Sequence, residues 1–111
     1  MDIPQIVKVE DAEQGEMGQF YLATGKQVAM RRWEEEAGEP SRCRARNYET
    51  VGFVVEGEIR LMLSGGEVTL SAGDSWLVPA GAEHQYQVLK RTVAIEATNP
   101  PARFNQKDEP I

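Results

Sequence analysis

A chain of 111 residues can enclose one hydrophobic core and is too short for two, so a single domain over 1–111 is expected. Eighteen acidic against twelve basic residues leave a formal charge of −6, which argues against nucleic acid and anionic membrane as general partners, since both reward clustered Lys and Arg. No apolar run reaches membrane-spanning length, the opening MDIPQIVKVED lacks a secretory h-region, and the lone Cys43 excludes an internal disulfide, so a soluble cytoplasmic protein is the expectation.

Ile3 to Val9 alternates loosely and suggests an edge strand, with Pro4 near its start where a missing donor does no harm. Asp11 to Gly18 is acidic and reads as a loop. Gln19 to Arg32 reads as two strand pieces broken at Thr24-Gly25-Lys26. Trp33 follows, and then the acidic run Glu34-Glu35-Glu36, read as solvated loop because like charges in a block repel one another and avoid burial. The alternative is that one of these carboxylates turns inward against a cation.

Ser41 to Asn47 carries arginines at 42, 44 and 46. Tyr48 to Val55 is rich in β-branched and aromatic residues and predicts a strand, Glu56-Gly57-Glu58 a turn, and Ile59 to Leu63 another strand. Gly65-Gly66 between two apolar runs is a hairpin signal, because the tight two-residue turns need positive φ. Val68 to Leu70 returns, Ser71 to Asp74 turns, and Trp76-Leu77-Val78 forms the next strand. Pro79-Ala80-Gly81 then writes a sharp corner, after which the only histidine, His84, opens a strand. Positions 84, 86 and 88 share one face of it by the two-residue period. Leu89 to Thr92 is expected to link to a last strand, Val93 to Ala97. Pro100-Pro101 ends the regular structure and 102–111 reads as a polar tail, leaving a core over about 17–98.

About nine short strands without a helical period predict an all-β barrel or sandwich. An immunoglobulin-like sandwich is disfavoured because there is no Cys-Trp-Cys framework. Two spacings carry a resemblance. Gly73, Pro79, Gly81 and His84 stand at the spacing Gly-x5-Pro-x-Gly-x2-His, and Gly38, Arg44, Arg46, Thr50 and Gly57 stand at Gly-x5-Arg-x-Arg-x3-Thr-x6-Gly. These resemble the second and first conserved motifs of the cupin superfamily over at least 38–88. The resemblance implies a small single-domain cupin, a jelly-roll β-barrel, and a homodimer. Val88 stands where the second motif usually ends in Asn.

The family typically holds a divalent metal between two first-motif histidines, a first-motif carboxylate and the second-motif histidine. Here Arg44 and Arg46 replace the histidines and Thr50 the acid, so only His84 remains. A guanidinium is a permanent cation with five donors and no lone pair for a metal, so no metal cofactor is expected. The same substitutions suggest another chemistry. Positions 44, 46, 48 and 50 would share a strand face, presenting Arg44, Arg46, Tyr48 and Thr50 towards His84 and Tyr86, with Trp33 at the mouth. Forked guanidinium donors suit a carboxylate or phosphate, and these six residues are the expected ligand-binding set. The expected function is a sensor or carrier for a small anionic metabolite. The alternatives are an enzyme or a dimeric scaffold. The enzyme would be a metal-dependent oxygenase or isomerase with a degenerate site, or a metal-free epimerase or lyase with His84 as base and Tyr48 or Tyr86 as acid. The competing reading of the arginines is an ion network with Glu49, Glu96 or the Glu34–Glu36 run.

Overall fold

Alternation of apolar and polar residues along 49–63 and 84–99 makes both segments strands, and each is long enough to serve two halves of a sheet. The computed structural model describes residues 3–103. It contains six strands, β1 (Phe20–Thr24), β2 (Ala29–Glu35), β3 (Glu49–Leu63), β4 (Gly66–Ser71), β5 (Ser75–Val78) and β6 (His84–Asn99), all paired antiparallel. Their order is β1-β2-β6-β3-β4, with β5 also on β3. The architecture is the expected all-β jelly-roll.

The first half of β3 lies between β5 and the second half of β6, whereas its second half lies between β4 and the first half of β6. The two halves fold face to face, because Val54, Trp76, Val78 and Ala94 from one join Ile59, Leu61, Leu70 and Val88 from the other in a single buried cluster. Burying these side chains stabilises the sandwich by roughly 1.5–3 kcal/mol for each large aliphatic or aromatic residue.

The fold bends where a turn at Glu56-Gly57-Glu58 and a link at Leu89 to Thr92 were expected. Both stretches instead stay in strand, so β3 and β6 are each one long strand where two were expected. From Val54 to Ile59 the inward face of β3 switches from even to odd positions while β6 keeps its parity, the signature of a bulge. Gly57 adopts φ +99, and a Cβ there would collide with Arg91 O and Thr92. The buried Thr92 hydroxyl ties the bend together: it donates to Lys90 O at 2.7 Å and accepts from Glu58 N at 3.1 Å.

Three further expectations are corrected. Ile3 to Val9 is not a strand; a short 3-10 turn covers Val9–Asp11, and Ile3 and Ile6 are more than four-fifths exposed. Loose alternation makes no strand without a sheet edge to supply partners. The acidic run begins as strand, since β2 continues to Glu35 by pairing with Thr92 of β6. Ala102, placed in the polar tail, is buried, and its N–H donates to the Thr98 hydroxyl at 3.0 Å. The rest of that tail, 104–111, lies outside the described residues, as do the first two residues of the chain.

Candidate functional site

Strand alternation places Arg31, Trp33 and Glu35 of β2 and Glu96 of β6 on the inner face of one half of the sandwich, and His84, Tyr86 and Val88 of β6 on the other. Tyr48 and Thr50 enter at the start of β3. The irregular segment 36–48 closes the remaining side. It has no regular strand of its own, yet it runs antiparallel to β6 through backbone bonds: Gly38 N to Val88 O, Ser41 N to Tyr86 O, and the reciprocal pair between Arg44 and His84 at 2.8–2.9 Å. The Gln85 and Gln87 amides, donating to the Ser41 and Gly38 carbonyls, hold it from the outside. These elements enclose a cavity of about 430 Å³, within the usual range for a small-molecule site.

A buried ion pair forms one wall. Arg31 Nε donates to Glu96 Oε1 at 2.8 Å, and Arg31 Nη2 donates to the Tyr48 hydroxyl at 3.1 Å with the guanidinium 5.4 Å from the Tyr48 ring centre. Register explains the meeting, because Arg31 and Glu96 are direct partners across β2 and β6. Each ion neutralises the other where little of either side chain is exposed.

Arg46 is treated differently by the fold. It is only 8% exposed, and its Nη1 has no hydrogen-bond partner among the described residues. Its Nη2 reaches only the Met17 thioether sulfur, 3.7 Å away, a weak acceptor. No carboxylate among the described residues pairs with Arg44 or Arg46. Leaving a buried donor unsatisfied costs about 1–3 kcal/mol, and more when it is charged.

Tyr86 is the hub of an aromatic wall. Its ring lies 5.4 Å from His84, 6.2 Å from Trp76 and 6.4 Å from Trp33, all tilted or edge-on, and its hydroxyl accepts a bond from Trp76 Nε1 at 3.2 Å. Loss of water, reinforced by the Glu96 charge, pushes the Tyr86 phenol far above its ordinary range, so it stays protonated. His84 Nδ1 lies 3.0 Å from Ala82 O. A carbonyl can only accept, so Nδ1 carries a proton and Nε2 is the acceptor in the neutral ring.

Glu35 also lines the cavity. The residue as a whole is exposed, but its carboxyl loses water over the cavity and feels the Glu96 charge, and both raise its pKa above the usual carboxylate range.

All six residues expected from sequence, Arg44, Arg46, Tyr48, Thr50, His84 and Tyr86, line this one cavity, as does Trp33. The expected shared strand face is only partly realised, since 45–47 are irregular and Arg44 makes an isolated bridge. The ion network took other partners: Glu96 pairs with Arg31, while Glu34 and Glu36 pair with Arg91 on the outside. Sequence reasoning missed Arg31 and Met17 as cavity residues. Arg31 was detectable by its parity with Trp33; Met17 was not, because its loop is placed by tertiary contacts. No three His, Cys, Asp or Glu side chains converge on an ion position among the described residues. No helix of the described residues is long and apolar enough to cross a membrane.

The sequence profile of the cupin domain family matches residues 31–96. No curated protein matches the sequence. Among solved structures, an RmlC-like cupin from Shewanella frigidimarina is similar over 88% of this chain and 92% of its own, at 22% identity and TM-score 0.77. KdgF from a Halomonas species is similar over 94% of this chain and 98% of its own, at 19% identity and TM-score 0.76. EutQ from Clostridium difficile covers 89% of this chain and 83% of its own, at 19% identity and TM-score 0.71.

Proposed function

This chain belongs to the cupin domain family, and from that premise we propose that it is a metal-independent cupin that binds a small organic anion, a carboxylate or phosphate, as a sensor or carrier. One observation carries the reading: the Arg46 guanidinium lines a 430 Å³ cavity with no carboxylate partner among the described residues, and an anion in that cavity would pair with its charge. Arg44 supplies a second fork, and His84 Nε2 and the Thr50 hydroxyl add polar contacts that orient the ligand. The donor set at the family's metal positions does not fit a divalent cation, because two of the four groups are guanidiniums and one is a neutral hydroxyl.

The catalytic alternative has less support. An epimerase or lyase needs an acid opposite the His84 base, but burial and the Glu96 charge make the Tyr86 hydroxyl hold its proton too tightly to donate it readily. Tyr48 is engaged with Arg31.

The reading includes a homodimer in the cytoplasm, the compartment that suits a free, exposed Cys43. Val51, Phe53 and Leu77 are about half exposed and neighbour one another on the outer face of β3 and β5, with Met30 close by on β2, an apolar patch that a second copy would cover.

Titration calorimetry with inorganic phosphate and a panel of mono- and dicarboxylates tests the clamp. Binding is expected for the parent and loss of binding for the Arg44→Ala/Arg46→Ala variant, with the fold intact by circular dichroism. Equal affinity in the double variant would remove the clamp.

A further inference from the structure

The charges that line the cavity balance. Arg31 and Glu96 neutralise each other, which leaves Arg42, Arg44 and Arg46 against Glu35, Glu36 and Glu39. The two signs are also separated along the strands. On β6, Arg44 is held at His84 and Gly38 at Val88, so Glu39 and Arg44 lie towards opposite ends of a four-residue interval, about 13 Å of strand. Arg46 lies beyond Arg44, next to Gly81. On β2 the same order recurs: Arg31 faces Glu96, and Glu35 stands four residues further, opposite Thr92 beside the bend. Two independent registers thus set a basic end near His84 and an acidic end near Val88, with Trp33 and Tyr86 between them.

The two ends are unequal in what they lack. Glu36 already has a partner in Arg91 at 3.0 Å. Glu35 has no ion-pair partner among the described residues, and Arg46 has an orphaned buried nitrogen at the other end. A simple anion would satisfy Arg46 and would leave Glu35 facing an apolar ligand tail.

Building on the anion clamp, we infer that the ligand is a zwitterion, an amine-bearing organic acid whose acidic group sits on Arg46 and Arg44, whose ammonium faces Glu35, and whose spacer lies against Trp33 and Tyr86. The desolvation that raises the Glu35 pKa fits this role, since an ammonium would supply the charge that its carboxylate lacks. The spacer requirement follows from the aromatic wall, which offers the middle of the ligand apolar ring faces in place of further charge.

Two matched pairs of probes of different length test it by titration calorimetry: butyrate with 4-aminobutyrate, and benzoate with 4-(aminomethyl)benzoate. The amine-bearing member of at least one pair is expected to bind the full chain tenfold or more tightly than its partner. Glu35→Gln is expected to reduce that ratio to less than threefold while shifting the plain carboxylate far less. If the plain acids bind as tightly as their amino counterparts, the zwitterion inference fails and the anion clamp stands. If the amine advantage persists undiminished in Glu35→Gln, the assignment of the ammonium to Glu35 fails. If none of the four binds while phosphate or a dicarboxylate does, the zwitterion inference fails and the clamp stands; if those fail as well, both fall.

Discussion

Replacing Arg46 by Met separates a binding arginine from a structural one. This side chain contributes a buried charge with an orphaned Nη1 and one weak contact to sulfur. Removing an unsatisfied buried donor recovers about 1–3 kcal/mol of desolvation, and the Met chain keeps most of the apolar stem contacts. The lost contact to Met17 and imperfect packing of the new side chain offset part of this, so a net gain of about 1–2 kcal/mol is expected. For a domain of this size that corresponds to a rise in Tm of roughly 4–8 °C. Thermal unfolding in low-salt buffer free of carboxylate and phosphate reads it directly. In the parent, a ligand at 100 times its Kd should add about 2.7 kcal/mol, and in Arg46→Met this increment should vanish. A variant less stable than the parent by 1 kcal/mol or more would refute the reasoning, because Arg46 would then hold the fold together rather than await a partner.

Four other outcomes follow from the geometry. Glu96→Ala removes the carboxylate opposite the buried Arg31 charge and should cost about 3–5 kcal/mol in urea unfolding, while Arg31→Met/Glu96→Leu should cost much less than the two single changes combined. Gly57→Ala demands positive φ from an L-residue and drives a methyl into Arg91 O and Thr92, so a loss of more than about 2 kcal/mol is expected; a neutral effect would mean that the bend tolerates another backbone path. Because Glu35 holds its proton to higher pH when folded than when unfolded, its contribution to stability is full below the ordinary carboxylate range and is lost as pH rises through the raised value. Glu35→Gln should therefore be more stable than the parent at neutral pH, by less than about 1 kcal/mol given its access to water, with the gap closing near pH 4; a constant gap across pH would contradict the assignment. Phe53→Arg on the outer apolar face should convert a dimer to monomer by light scattering with chromatography, whereas a parent that is already monomeric would refute the assembly.

The fold class was legible because the signals that carry it are local. The corner at Pro79-Ala80-Gly81 needs only a fixed φ and the left-handed φ of +83 that Gly81 adopts, and the hairpin signalled by Gly65-Gly66, whose turn residues are Ser64 and Gly65, needs only backbone freedom. The two motif spacings were legible for the same reason, and they brought the six candidate residues to one cavity although the segment bearing the arginines is irregular. Strand length was not legible. Gly57 and the stretch 89–92 look like breaks in isolation, and only when β3 and β6 lie side by side does each bridge the other's interruption.

The sequence by itself determined which chemistry is available: arginines where a metal site would need lone pairs, a single imidazole, and aromatic residues on the inward positions of strands. Only the tertiary structure decided which charges neutralise one another. Arg31 and Arg46 are alike as residues, and the sequence does not say which of them meets a carboxylate. Cross-strand register sets Glu96 directly opposite Arg31, whereas Arg46 lies on an irregular segment where its backbone bonds to Gly81 and no carboxylate stands opposite. Pairing depends on which atoms register brings within a few ångströms, and register is a property of the assembled sheet.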